Sequence, residues 1–278
     1  MDQTLQCLNC TSILEQQDSF CRACGQKTVV HRFTLKKIIH EFFHAFTHTD
    51  RSIFHLLRGL ATRPGIIALE YLQGRRKKYF NPFTFFVLCM GFFVLSNNLF
   101  QAYGQAPDPD PQVLQSMPDE SARHKYRTIV QRQGEISIFL QKNTNILTMV
   151  AVPFFSLMSW GLLRRKRLNY AEHLVANVLF ISFSNLIFTI IALPLMGYTA
   201  GTQTYFIILF TALLLQSIYM AWAHYQLQEA DRNVYFVKTL GLSLLWILLW
   251  NLVTMLITIA YIFRSGFFNA LGNMLGLS

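Results

Sequence analysis

The sequence predicts an all-α integral membrane protein with about five transmembrane helices, a small N-terminal zinc ribbon and amphipathic interfacial helices between them. Three observations carry this prediction. The 278 residues are 53% hydrophobic and only 14% charged, whereas soluble domains are about a quarter charged. Several uncharged apolar runs are as long as a membrane is thick. Four of the five cysteines stand in two Cys-x2-Cys pairs near the N-terminus.

The apolar runs divide into five candidate spans. No charged residue lies between Lys78 and Asp108, and none lies from His173 to Gln228. The second run is long enough for two helices, and the stretch GYTAGT at 197–202 predicts the turn between them. A membrane domain is therefore predicted over 82–278, with spans near 82–103, 143–163, 174–196, 203–223 and 239–263, and an external loop at 104–142.

The basic residues predict the orientation. The cluster RRKK at 75–78 precedes the first span and RRKR at 164–167 follows the second, so a helical hairpin puts both on one side. Lys and Arg mark the cytoplasmic side. No basic leader precedes the first apolar run, which favours a cytoplasmic N-terminus. Five spans then put the C-terminus outside.

The cysteine spacing predicts a metal site. Cys7, Cys10, Cys21 and Cys24 form two Cys-x2-Cys pairs separated by ten residues. Two such turns give four thiolates around one ion, which suits zinc, with iron as the minor alternative. Two disulfides are disfavoured in a reducing cytoplasm. We expect one structural zinc per chain in a ribbon at 1–30, closed to catalysis and needed for folding.

Residues 33–49 (FTLKKIIHEFFHAFTHT) have helical periodicity, and 31–81 is interpreted as cytoplasmic amphipathic helices at the membrane surface. Three histidines fall on the polar face. The first interpretation is that the histidines form the solvent-exposed polar face of an interfacial helix and take no part in catalysis. The alternative is a second metal or catalytic site, because H-E-x-x-H is the spacing of zinc peptidases; Glu70 is a further candidate ligand of such a site. Its candidate residues are His40, Glu41, His44 and His48. A non-peptidase metal site would instead use His44 or His48 with Glu172 and His173.

The block TRPGIIALEYLQGRRKKYFNPFTFF at 62–86 and the stretch NYAEHLVANVLF at 169–180 resemble a bacterial family known as domain of unknown function 3667. The FCRACGQ and HEFFHAFTHTDRS stretches share in the resemblance. It implies a multi-pass protein of the bacterial inner membrane with a zinc-ribbon head, and it implies no activity.

The same block also has a physical interpretation. Arg63-Pro64 ends one helix, Gly74 caps the next, and the RRKK cluster meets anionic headgroups. Anchoring and topology suffice to explain this cluster. The sharper alternative is lipid or phosphate binding by Arg75, Arg76, Lys77 and Lys78.

Three classes of function follow. The favoured one is a non-enzymatic membrane scaffold or interaction protein that binds a cytoplasmic partner or lipid headgroups. The alternatives are a membrane metalloenzyme, such as a peptidase or other hydrolase, and a transporter. The spans hold no Asp, Glu, Lys or Arg, which disfavours an ion path. No nucleic-acid partner is expected, because membrane topology already explains the net charge of +10. The substrate, the partner, the oligomeric state and the role of the external loop stay open.

Overall fold

The computed structural model describes residues 5–15, 17–30, 32–35, 52–100, 108–163, 168–228 and 233–263. The histidine-rich segment with His40, Glu41, His44 and His48 lies outside the described residues, as does the basic cluster at 164–167. The described residues contain helices and no strand. The helices are α1 Ser52–Thr62, α2 Pro64–Leu72, α3 Pro82–Phe100, α4 Pro111–Ser116, α5 Glu120–Lys142, α6 Thr144–Leu162, α7 Tyr170–Ile187, a π-helical segment Phe188–Ala192, α8 Leu193–Tyr198, α9 Gln203–Leu227 and α10 Asn233–Ile262.

Within the described residues, four helices are long and apolar enough to cross a membrane: Pro82–Phe100, Tyr170–Tyr198, Gln203–Leu227 and Tyr235–Ile262. They correspond to four of the five predicted spans. The other predicted span, at 143–163, coincides with α6, in which Ile146–Leu162 is a shorter apolar helix. The count of five membrane spans therefore stays a prediction, while the helical, membrane-like character of the chain is established.

The long apolar helix Tyr170–Tyr198 is continuous but irregular. The π-helical segment Phe188–Ala192 ends just before Pro194. Proline has no backbone N–H, and its ring would clash with the carbonyl four residues earlier in a regular α-helix. The wider π-helical turn before Pro194 relieves this clash. Pro194 thus coincides with a local change of helical pitch.

The N-terminal half of α7 forms the centre of the core. Ten successive residues, from Ala171 to Phe180, are buried, between α3, α6 and the hairpin of α1 and α2. This burial on all sides agrees with a helix that has apolar residues around most of its circumference.

Helices α1 and α2 close one end of this bundle. Pro64 begins α2 and Gly74 ends it with φ +112°. Gly74 N–H donates to the Tyr71 carbonyl at 3.2 Å and Arg75 N–H donates to the Glu70 carbonyl at 3.0 Å. This is the Schellman arrangement, and it confirms the predicted glycine cap.

The sequence interpretation lays α2 on the membrane surface, but α2 is itself mostly buried. It packs against α9 and α7. Gly65 makes this close approach possible, because a β carbon there would lie 2.2 Å from the Leu227 nitrogen. Gly65 N–H also donates to Gln226 Oε1 at 3.1 Å.

Candidate functional site

The N-terminal module is built from two similar turns. In each, the amide of the residue after the second cysteine donates to the carbonyl of the first: Thr11 to Cys7 at 2.9 Å and Gly25 to Cys21 at 2.8 Å. Thr11 and Gly25 both have positive φ, at 62° and 70°. The flanking residues form the antiparallel bridges Gln6↔Ile13 and Phe20↔Lys27. This backbone directs all four thiols to one point.

The four sulfur atoms lie within 4.8 Å of one another. Cys7 Sγ and Cys24 Sγ are 3.6 Å apart, and so are Cys10 Sγ and Cys21 Sγ. A tetrahedral ion with Zn–S bonds of about 2.3 Å requires sulfur separations of about 3.8 Å. The predicted ligand set is therefore brought together with the dimensions of a closed four-sulfur site.

Two of the thiols differ in acidity. Hydrogen bonds from the Ser12 hydroxyl and backbone lower the pKa of Cys10 to about 6, and burial raises the pKa of Cys24 to about 11. Thiolates are the ligands of such ions. Ser12 and Gln26 follow the two turns and support the sulfurs, Ser12 through its side chain at 3.2 Å from Cys10 Sγ.

The module is docked on the loop that joins α2 to α3. Asn9 Oδ1 accepts from the Lys78 backbone N–H at 3.1 Å, and Gln26 Oε1 accepts from that of Lys77 at 3.0 Å. Asn9 lies between the cysteines of the first pair, and Gln26 lies two residues after the second pair. The ligand turns and the basic cluster therefore form one unit, which sequence spacing could not reveal.

Three of the four predicted lipid-binding side chains take part in internal contacts. Lys78 Nζ lies 3.1 Å from Glu70 Oε2, Arg75 Nη1 lies 3.7 Å from the same oxygen, and the Arg76 guanidinium stacks 3.9 Å over the Phe33 ring. Lys77 is exposed. Lipid or phosphate binding by this cluster stays a prediction.

Glu70 is the centre of this network. Tyr79 OH donates to Glu70 Oε2 at 2.6 Å. Burial alone would raise the pKa of Glu70, but the hydrogen bonds from Tyr79 and Lys78 outweigh it, and the net pKa is lowered. Burial and the same hydrogen bond raise the pKa of Tyr79. The Glu70 carboxylate, which the sequence suggested as a further metal ligand, thus accepts hydrogen bonds from Lys78 and from the Tyr79 hydroxyl.

Glu172 and His173, proposed from sequence for a second metal, enter separate networks. Arg32 donates to both oxygens of Glu172, at 2.7 and 2.6 Å. Glu172 also accepts from the Asn169 backbone and donates its own N–H to Asn169 Oδ1, each at 2.9 Å, which is a capping box. Glu172 therefore lies in the first turn of α7, where a negative charge is favourable, and its cationic partner is Arg32.

His173 belongs to a buried polar cluster between α6, α7 and α9. Its Nδ1 lies 3.2 Å from Ser159 Oγ, and Asn177 donates to Ser159 Oγ at 2.9 Å and to Ser156 Oγ at 3.1 Å. All four side chains are buried. His173 Nε2 and Asn177 Oδ1 are buried without a hydrogen-bond partner.

His224 of α9 completes this cluster, and the sequence interpretation missed it. The imidazole packs edge-on against Phe155 and Phe180, with ring centroids 5.6 and 5.5 Å apart, and neither ring nitrogen has a hydrogen-bond partner. The sequence did contain a sign of this pair, because His173 and His224 are the two histidines in the run from His173 to Gln228, which has no Asp, Glu, Lys or Arg. An ionisable side chain within a span is by default a functional candidate.

A cavity of about 310 Å³ lies beside this cluster, between α3, α6, α7, α9 and α10. Its polar lining includes Ser184, Asn185, Gln216, Ser217, Ser243 and Asn251. Phe155 lines the cavity on one side and contacts His224 on the other, so the cavity and the buried cluster are neighbours.

Comparison with known proteins gives one match, to the family described as Protein of unknown function (DUF3667), over residues 50–94. No curated protein and no solved structure matches the chain. The matched segment contains α1, α2, the basic loop and most of α3. The match includes the whole T-R-P-G to N-P-F block at 62–86, the stretch in which the chain resembles this family.

Proposed function

We propose that this protein is a multi-pass protein of the bacterial inner membrane in which one zinc ion orders a cytoplasmic interaction module. The module is a structural head on a membrane scaffold and performs no catalysis. The observation that carries the proposal is the closed set of four cysteine sulfurs within 4.8 Å, docked on the basic loop next to the first span.

Zinc is favoured by the ligand type and by the size of the module. Four thiolates in tetrahedral spacing suit zinc, and a site with all four positions taken by protein has no open coordination position for substrate. The module has a core of only a few residues around Cys7, Leu14 and Cys21. Such a core is too small to fold alone, so metal binding supplies the folding free energy.

A partner surface is favoured by what the module exposes. Ile13, Phe20 and Val29 are 74%, 53% and 66% exposed, although the module is only about 25 residues long. Exposed apolar side chains at this density are typical of interaction surfaces. Lys77 and the partly exposed Arg75 lie beside the docked module and add positive charge for a lipid headgroup or an acidic partner.

Five spans are favoured by the length of α6. Its 19 residues extend over about 28 Å at 1.5 Å per residue, close to the hydrocarbon thickness of about 30 Å. An odd number of spans puts the termini on opposite sides. Fusions of alkaline phosphatase, which is active only after export, would be active at the C-terminus and inactive at the N-terminus. Equal activity at both ends would contradict five spans.

The metal content per chain tests the zinc proposal directly. We expect one zinc in detergent-purified wild type, none in Cys10→Ser/Cys24→Ser, and one in Cys89→Ser, the control thiol buried in α3. Wild type without zinc would refute the proposal.

The same measurement distinguishes the metalloenzyme alternative. We expect His40→Ala/His44→Ala to retain one zinc, equal to wild type. Two metal ions in wild type and one in this variant would instead establish a second metal centre at the histidine-rich segment, and the scaffold proposal would be replaced by the enzymatic one.

A further inference from the structure

The cavity between the five apolar helices differs chemically from the rest of the bundle. Its walls are aromatic and aliphatic in part, with Phe93, Phe188 and Trp246 among them. Three side-chain carboxamides, those of Asn185, Gln216 and Asn251, line it from three different helices. Carboxamides are costly to place against hydrocarbon and are stabilised by a hydrogen-bonding neighbour.

The lining predicts an uncharged ligand. None of the described lining residues is Asp, Glu, Lys, Arg or His. A charged molecule would lose its hydration and gain no counter-ion, which is strongly unfavourable in a low-dielectric interior. Hydroxyl and carboxamide groups can satisfy a neutral polar group, and the aromatic walls suit an apolar chain.

The size and position of the cavity predict where the ligand comes from. A volume of about 310 Å³ lies at the lower end of the range of about 300–1,000 Å³ for ligand sites, too small for a two-chain phospholipid. Asn251 lines the cavity and is also on the exposed surface of α10. The cavity therefore reaches a surface of the bundle that would face lipid in the proposed membrane location.

We propose that this cavity binds one single-chain, uncharged amphiphile taken from the bilayer, with its polar group at Asn185 and Gln216. The proposal rests on the membrane location of the helices and is independent of the zinc module. It adds a small-molecule site to the proposed scaffold function.

Trp246 and Trp250 both line the cavity and stack with ring centroids 5.8 Å apart, so they report on its occupancy. The experiment uses the full chain with Trp160→Phe/Trp222→Phe, in detergent, titrated with ω-bromoundecanol, whose bromine quenches tryptophan at contact. We expect saturable quenching. Ser217→Leu, which fills the cavity from α9, should weaken binding at least tenfold, whereas Thr211→Leu on the exposed face of the same helix should not.

Two further comparisons test the chemistry. Asn185→Leu/Gln216→Leu keeps the volume and removes hydrogen bonding, so the alcohol should then bind no better than bromoundecane. The ionised ω-bromoundecanoate should bind at least tenfold more weakly than the alcohol.

Linear quenching without saturation, or equal quenching in Ser217→Leu and Thr211→Leu, would overturn the proposal and indicate simple partition into the micelle. Tighter binding of the carboxylate would overturn the uncharged class. Zinc content and elution profile check folding. If Ser217→Leu fails to fold, Ala151→Leu fills the cavity from α6 and replaces it in the comparison.

Discussion

The ion pair between Arg32 and Glu172 joins the N-terminal segment to the buried start of α7, across 140 residues of sequence. Both guanidinium–carboxylate hydrogen bonds are short, at 2.7 and 2.6 Å, and the Glu172 side chain is 5% exposed while that of Arg32 is 66% exposed. Removing the arginine leaves a nearly buried carboxylate with the Asn169 amide. We therefore predict that Arg32→Ala loosens the N-terminal segment.

The magnitude follows from the geometry. Hydrogen bonds to a charged group contribute about 1.5–3 kcal/mol, and exposure of the arginine screens part of this, so Arg32→Ala should lose about 1–2 kcal/mol. Glu172→Ala also removes one half of the capping box, worth about 0.5–2 kcal/mol, and should lose about 1.5–4 kcal/mol. Glu172→Gln keeps an oxygen for Asn169 N–H and should resemble Arg32→Ala.

The assay is reversible unfolding in mixed micelles, with the double variant Arg32→Ala/Glu172→Ala closing a thermodynamic cycle. Limited proteolysis before residue 52 reports whether the segment has come loose. Arg127→Ala is the matched control, since its pair with Glu120 lies on the exposed surface and should contribute nothing measurable. If the two single effects add to within about 0.3–0.5 kcal/mol, the pair is uncoupled and this reasoning is wrong.

Three other predictions follow from single contacts. Because Tyr79 and its neighbours lower the pKa of Glu70 despite its burial, the stability from Glu70 is fully present above its ordinary pKa of 4.5 and is lost as the pH falls through the folded value. Glu70→Gln should therefore show a smaller drop in unfolding midpoint between about pH 5 and about pH 3 than wild type. Gly65→Ala places a carbon 2.4 Å from the Ala223 carbonyl oxygen and should lose at least about 1–3 kcal/mol by overpacking, measured in the same unfolding assay. His224→Leu removes two buried nitrogens that have no partner, so thermal unfolding should show unchanged or higher stability, by up to about 1–3 kcal/mol.

Each of these has a control and a contradicting result. Glu120→Gln, on an exposed side chain of α5, should leave the acid dependence as in wild type; an equal effect of both variants would exclude Glu70 as the cause. Gly161→Ala meets no atom within 4 Å and should be neutral, and a neutral Gly65→Ala would refute the close approach of α2 to α9. A marked loss in His224→Leu would mean that the imidazole binds a partner.

The sequence predicted the cysteine site and most of the helices for physical reasons that act locally. The backbone of a membrane segment must satisfy its hydrogen bonds internally, so a long uncharged apolar run forms a helix. The pairs at Cys7 and Cys21 place two thiols in each tight turn by spacing alone, and Gly74 supplies the left-handed residue that ends α2.

The sequence misjudged features that depend on partners. The sequence prediction considered only Asp, Glu, Lys and Arg as signs of an ion path, and it therefore missed His224. The imidazole of His224 is fully buried among aromatic rings. The helix at Pro64–Leu72 was expected at the surface, yet Gly65 allows α9 to cover it. Periodicity shows which face is apolar, but not which element buries it.

By itself the sequence determined the membrane-like class of the protein, the positions of the apolar helices and a group of four cysteines that could hold one metal ion, because composition and short-range spacing decide these properties. Only the tertiary structure decided that Arg32 pairs with Glu172, that the cysteine module rests on the amides of Lys77 and Lys78, and that five helices leave a polar-lined cavity. These contacts join residues far apart in the chain. They are selected by the packing of whole helices, which local sequence patterns do not encode.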